Sequence, residues 1–211
     1  MLLGLSLVLV ACGTPKRDLR TKPYVKEAFT MGTYVKITSY DKGHEKDVAA
    51  ALAIAKDYDK KTSVNQSGSE LDEINDQAGI KPVKVSKAVY KLLKDAYDYS
   101  DKQTGFDMMI GAISSLWHIG FDDARKPSQA EIDQALPLVS HRLIEFDDQK
   151  QTVYITKKGA KIDLGAITKG YVSDRMTDYL KDHGVTTAIV DLGSSSLSLI
   201  GHSHRGAEEP W

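Results

Sequence analysis

Apolar and polar positions alternate from Tyr24 to Tyr40, a period of two that predicts a pair of strands, with Met31-Gly32-Thr33 an interruption or bulge between Phe29 and Tyr34. The period becomes helical over Lys46 to Tyr58, where Val48, Leu52, Ala55 and Tyr58 share a face. Thr62 to Gly68 reads as a polar loop. Leu71, Ile74 and Ala78 then predict a short helix ended by Gly79, with Ser69 as its cap and Asn75 near its end, both structural. Pro82 to Val85 is a brief strand leading to Ser86, the N-cap of a long helix with the stripe Val89, Leu92, Leu93, Ala96 and Tyr97. Gly105 to Trp117 mixes Phe, Met, Ile and Leu without a decisive period. Ser128-Gln129-Ala130-Glu131 is a capping box opening a helix that Pro137 closes. Leu143 to Phe146 and Val153 to Ile155 predict a hairpin across Asp147 to Gln151, continuing to Lys161-Ile162-Asp163. Thr168 to His183 is a second long helix stopped by Gly184, and Thr187 to Leu192 is a final strand. Strands and helices in this mixed order give an α+β fold class in preference to a regular parallel α/β sheet.

Leu2 to Ala11 stands apart, almost wholly apolar and ending in Leu9-Val10-Ala11-Cys12. That is the pattern of a bacterial lipobox, in which a short apolar leader engages export, small residues fit the signal peptidase, and Cys12 becomes the lipidated first residue. The stretch is shorter than the about 20 apolar residues a bilayer span needs. No Lys or Arg precedes it, unlike an ordinary leader. The competing reading is a buried terminal strand or helix with Cys12 as a small hydrophobe; the abrupt change to a Lys- and Arg-rich stretch from Gly13 to Thr21 favours the leader. Cys12 is the only cysteine, which excludes an intramolecular disulfide and a multi-cysteine zinc site. Two acyl chains there would hold a soluble domain at a membrane. A net charge of −1 gives no reason to expect a nucleic-acid partner, and a hydrophobic fraction of 41% suffices for a core.

Candidate chemistry concentrates in Ile162-Asp163-Leu164-Gly165-Ala166-Ile167-Thr168-Lys169-Gly170-Tyr171, where a strand is expected to turn into a helix. The first N–H groups of a helix lack intrahelical partners, the macrodipole adds positive character, and glycine admits a ligand close to the backbone, so such a mouth suits phosphate. Taken alone, a tight strand-to-helix turn needs glycine in many proteins that bind nothing. It has company, in order: Met31-Gly32-Thr33-Tyr34, Ser69-Glu70-Leu71-Asp72-Glu73-Ile74-Asn75, Gly105-Phe106-Asp107-Met108-Met109-Ile110-Gly111, and Asp191-Leu192-Gly193. In that order and spacing the chain resembles the ApbE family, the FAD:protein FMN transferases once called thiamine biosynthesis lipoproteins.

The resemblance implies an ApbE-like (T-fold-like) mixed sheet with packed helices, incomplete at the C-terminus. It divides the chain into a leader (1–11), a polar tether after lipidated Cys12 (12–22) and a partial flavin transferase domain (23–211). It implies FAD contacts from Met31, Gly105, Phe106, Asp107, Asp163 and Lys169. It also implies a magnesium ligand at Ala166, which here offers only its backbone carbonyl, too little for an ion that wants near-octahedral oxygens. Gly105 stands where alanine is usual, and Ser194 to Ser196 stand where the family has Gly-Asn after Gly193. His118, without a positioned partner, is expected to be structural. The family's further magnesium ligands and its histidine-containing element lie in a C-terminal segment that has no match here, so no general base is assigned. The activity implied is Mg2+-dependent transfer of FMN from FAD to a threonine of an acceptor flavoprotein, such as a membrane redox-complex subunit, releasing AMP. The protein would be lipid-anchored in the cell membrane and face outward. Two alternatives stand beside it: a non-catalytic lipid-anchored flavin-binding protein or inactive fragment, and an FAD pyrophosphatase using water as acceptor. The chain alone is expected to bind FAD weakly or not at all.

Overall fold

A computed structural model describes residues 19–64, 67–102, 105–205 and 211. The predicted leader, Cys12 and most of the tether lie outside the described residues. Strand β1 (Leu19–Thr30) starts earlier than the alternation suggested and takes in Leu19 to Lys22, which the sequence placed in the tether. It pairs antiparallel with β2 (Thr33–Asp41), and Thr30 faces Thr33 across the turn. The expected bulge at Met31-Gly32 is instead a two-residue hairpin turn with φ of 56° at Met31 and 71° at Gly32. Two positive φ values match the right-handed twist of a hairpin, and glycine takes one at no steric cost.

Strand β2 also pairs with β6 (Ala188–Leu192), and β6 with β7 (Leu197–Ile200), giving an antiparallel sheet of order β1-β2-β6-β7. Sequence reading ended the strands at Leu192, so β7 is an addition. One face of this sheet buries Val35, Ile37, Val190 and Leu192. Against it lie α1 (Glu45–Thr62), through Val48, Ala51, Leu52 and Ala55, and α6 (Thr168–Asp182), through Val172, Met176 and Leu180. At the end of β2 the Asp41 carboxylate accepts the Thr186 and Thr187 N–H groups at 3.0 and 2.8 Å, satisfying two donors just before β6 starts.

A second antiparallel sheet has the order β3 (Val83–Lys84), β5 (Thr152–Ile155), β4 (Ile144–Asp147). Helix α3 (Lys87–Asp101) covers it with the predicted stripe, and Tyr90 and Tyr97 each meet Phe146 edge-on at 5.6 Å. The Tyr90 hydroxyl donates to Asp148 at 2.7 Å; burial, then this bond, pushes the phenol up to about 12. Three shorter helices, α2 (Glu70–Asp76), α4 (Gly111–Trp117) and α5 (Gln129–Ala135), join the layers, and one continuous core runs beneath both sheets. The α+β class is observed. Among the described residues no helix is long and apolar enough to cross a membrane.

The serine caps form where the sequence placed them, and Ser128 with Glu131 makes the full reciprocal box. Arg125, then the Ser128 N–H and hydroxyl, pull the Glu131 carboxyl from 4.5 down to about 2. A depressed carboxyl stabilises the fold above its unfolded value and stops doing so as pH falls through the folded one. The box should therefore hold at pH 5 and be lost progressively between about 4.5 and about 2. A carboxyl titration by NMR checks this, and a Glu131 midpoint near 4.5 would mean the box is not formed in solution.

Candidate functional site

The chain from Lys161 to Asp163 runs extended, but not as the strand the sequence predicted. On one side it meets backbone: Ile110 and Lys161 form an isolated parallel bridge, the Gly111 N–H donates to the Lys161 carbonyl at 3.1 Å, and the Asp163 N–H donates to Met108 at 2.9 Å. Gly111 is required by this approach, since a Cβ there would sit 2.7 Å from the Lys161 carbonyl oxygen. On the other side the partner is a side chain. The Asn75 carboxamide donates to the Ile162 carbonyl at 3.0 Å and accepts the Ile162 N–H at 2.7 Å.

After Asp163 the chain turns sharply. The Leu164 carbonyl accepts the N–H groups of Ile167 and Thr168 at 3.0 and 2.9 Å and the Thr168 hydroxyl at 2.8 Å. The N–H groups of Lys169 and Gly170 at the start of α6 find no acceptor among the described residues. Asp163 folds over this turn: Oδ1 accepts the Gly165 N–H at 2.8 Å and Oδ2 accepts the Ser114 hydroxyl at 2.6 Å. A carboxylate offers about four lone-pair sites, so two of these bonds leave acceptor capacity on both oxygens.

The mouth of α6 opens into a cleft of about 590 Å³ between the α1–α2 connection, the β1–β2 turn and α4. Met31, Asp163, Gly165, Thr168 and Lys169 line it, faced by Asp59, Asp72 and Asp76 and by His118 and Phe121 from the loop after α4. The volume lies in the range of small-molecule sites. Met31 borders the cleft from a left-handed backbone position that residues other than glycine, Asn or Asp rarely take; strain of this kind clusters at ligand sites. Lys169 forms no hydrogen bond or ion pair among the described residues. Asp59 is engaged by the Thr30 hydroxyl at 2.7 Å and Asp72 by the Gly68 N–H at 3.0 Å.

A family model described as the ApbE family matches residues 31–211. The chain belongs to the ApbE family. Curated relatives named FAD:protein FMN transferase include one from Treponema pallidum (strain Nichols), 31% identical over 92% of this chain and 57% of its own length. Another, from Klebsiella pneumoniae (strain 342), is 32% identical over 89% of this chain and 59% of its own. The crystal structure of the ApbE protein from Thermotoga maritima superposes with a TM-score of 0.79 at 30% identity, covering 90% of this chain and 62% of that one. The chain thus spans about half the length of the curated relatives it matches, from 44% to 59%.

The residues that the ApbE resemblance grouped together do not all meet. Met31, from the β1–β2 turn, and Asp163 and Lys169, from the turn into α6, share the cleft. Phe106 and Ala166 instead line a second groove of about 750 Å³ on the other side of the first turn of α6, with Tyr99, Tyr171 and Arg175. Gly105 and Asp107 line neither. The Asp107 carboxylate is consumed locally: Oδ1 accepts the Met109 N–H at 2.8 Å, and Oδ2 accepts the His141 N–H at 3.0 Å and lies 3.2 Å from His141 Nδ1. It therefore clamps a turn, and Gly105, Phe106 and Asp107 do not line the cleft that holds Asp163.

Ala166 is exposed, offers one backbone carbonyl, and lines the second groove, not the cleft with Asp163. No group of three or more His, Cys, Asp or Glu among the described residues could hold a metal ion. These residues do not make a magnesium cage. Ser114 went unnoticed because it sits where periodicity was indecisive. His118 does have a positioned partner, contrary to expectation: Nδ1 lies 2.6 Å from Asp123 Oδ1, and the ring stacks on Phe121 at 4.1 Å.

Proposed function

We propose that this chain carries the FAD-holding part of an ApbE flavin transferase, a protein that moves FMN from FAD to a threonine of an acceptor flavoprotein, releases AMP and depends on Mg2+. The observation that carries this reading is Asp163, pinned through both oxygens by Ser114 and the Gly165 N–H at the mouth of α6, in one cleft with Met31 and Lys169. A carboxylate so fixed accepts hydrogen bonds from ribose hydroxyls or a flavin ring N–H without reorganising. The free Lys169 ammonium and the open N–H groups of Lys169 and Gly170 suit a pyrophosphate. Met31 gives the flavin ring a polarizable contact. Carboxylates outnumber ammonium groups along the cleft, so an anionic nucleotide is better received with a divalent counter-ion than alone, which supports the Mg2+ dependence; Ala166 lines the other groove, so oxygen ligands other than its carbonyl are required to hold the ion.

The Leu9-Val10-Ala11-Cys12 pattern supports lipid anchoring at the cell membrane, facing outward. A second reading, flavin binding without transfer, is favoured by the lack of a metal-capable cluster among the described residues. Fluorescence titration of FAD into the purified chain, with and without magnesium, tests the binding, and mass spectrometry of a threonine-containing acceptor segment tests the transfer. Saturable binding with FMN found on the threonine supports transfer. Binding without transfer supports the second reading, and no binding by the folded chain removes both.

A further inference from the structure

We infer that Asn75 is a positioning residue of the proposed flavin site, acting through Asp163; the inference rests on the flavin-binding reading above. The segment Lys161-Ile162-Asp163 behaves as a strand with a backbone neighbour on one side only. Lys161 and Asp163 direct their peptide groups toward Met108 and Gly111. The groups of Ile162 point the opposite way, where a second strand would have to lie. No backbone is there. The Asn75 carboxamide supplies one donor and one acceptor in a single plane, at the spacing of a peptide unit, and closes both bonds to a residue 87 positions away.

Asn75 is itself held firmly. It lies in the last turn of α2, whose Leu71 and Ile74 are each only 1% exposed, and the helix is capped by Ser69, whose hydroxyl also donates to the Ser63 carbonyl at 2.6 Å. The buried Ile162 side chain anchors the other partner. The backbone that carries Asp163 is thus gripped from both edges: by the side-chain amide of Asn75, and by Gly111, which lacks the Cβ that would force it away. With the backbone fixed, Ser114 and the Gly165 N–H each take one carboxylate oxygen and leave the remaining lone pairs for the cleft. A glutamine would place its amide one methylene too far. An aspartate would keep the acceptor for the Ile162 N–H but set an oxygen against the Ile162 carbonyl.

A double-mutant cycle on FAD affinity, read by fluorescence with the full chain, tests this. Asn75→Ser, which loses the paired bonds to Ile162 without adding charge to the cleft that Asn75 also lines, is expected to weaken FAD binding about tenfold. In the Asp163→Ala background the same change should add nothing, because the group it positions is gone. Near-UV circular dichroism reports whether each variant folds. If Asn75→Ser does not fold, Asn75→Gln gives the same comparison, since its amide sits one methylene too far out to close both bonds. Wild-type affinity in the folded variant, or effects that multiply in the double variant, would overturn the inference while leaving the flavin reading intact. Failure of the wild-type chain to bind FAD would instead remove the flavin reading and the inference with it.

Discussion

Replacing Asp163 with alanine is expected to weaken FAD binding by about a hundredfold. Both carboxylate oxygens retain acceptor capacity toward the cleft after Ser114 and the Gly165 N–H are bonded. Two charge-assisted bonds to a ligand, at about 1.5–3 kcal/mol each and discounted for solvent access, make a loss of about 3 kcal/mol reasonable. A second effect opposes this one. Asp163 is an anion beside the helix mouth, and removing it reduces repulsion toward any phosphate there. The two effects separate by ligand. FAD, which would bond the carboxylate through its ribose or ring N–H groups, should bind more weakly to Asp163→Ala. Inorganic pyrophosphate, which has only the repulsion to lose, should bind as well as before or better. Calorimetric titration of both ligands decides it. If pyrophosphate weakens along with FAD, the carboxylate is serving to shape the turn over Gly165, and its role as a ligand acceptor is wrong.

The elements legible in the sequence are those whose signal is local. Alternation set β1 and β2, the 3.6-residue stripe set α1 and α3, Gly184 set the end of α6, and serine caps set the starts of α2, α3 and α5, because each depends on residues within one or two turns. Failures occur where the partner is distant or of an unexpected kind. Lys161-Ile162-Asp163 alternates as a strand does, yet one of its partners is the Asn75 side chain, so the ladder stops at one residue. Strand β7 was hidden because Leu197 and Leu199 face outward and follow three serines, which reads as loop. The turn at Met31-Gly32 lacks the usual Asn or Asp at its first position. Asp107 and Asp163 show most clearly why the surroundings of a side chain escape a linear reading. Both follow a single apolar residue near a glycine and look equally fit for a ligand. What distinguishes them is His141, which occupies one oxygen of Asp107 from 34 residues away, whereas Asp163 meets only a serine and one N–H.

The other large effect is expected from Gly193→Ala, which should lower stability by about 2–4 kcal/mol, or roughly 5–15 °C in Tm for a chain of this size. Gly193 has a φ of +63°, and a Cβ there would lie 1.8 Å from Thr33 Oγ1 and 2.7 Å from Thr33 Cβ. Rotating the threonine moves the hydroxyl but not its Cβ, and the Thr33 backbone is tied by pairing with Thr30 across the hairpin turn. The clash therefore has to be relieved by moving β2 away from the Leu192 end of β6, where Val35 and Leu192 pair and are both fully buried. Two costs combine: the left-handed backbone that alanine disfavours, and overpacking against a β-branched neighbour. They can be told apart. Thr33→Gly removes every side-chain atom in conflict, so Gly193→Ala with Thr33→Gly should recover the packing part and leave the backbone part. Thr33 directly follows Met31-Gly32, so the displaced strand should also carry Met31 from the rim of the cleft and weaken FAD binding in the chain that remains folded. Thermal unfolding followed by circular dichroism, with FAD titration below the transition, measures both. A Tm within two or so degrees of wild type would mean that the β2–β6 contact is looser than drawn, and unchanged affinity in a destabilised variant would separate the hairpin turn from the flavin site.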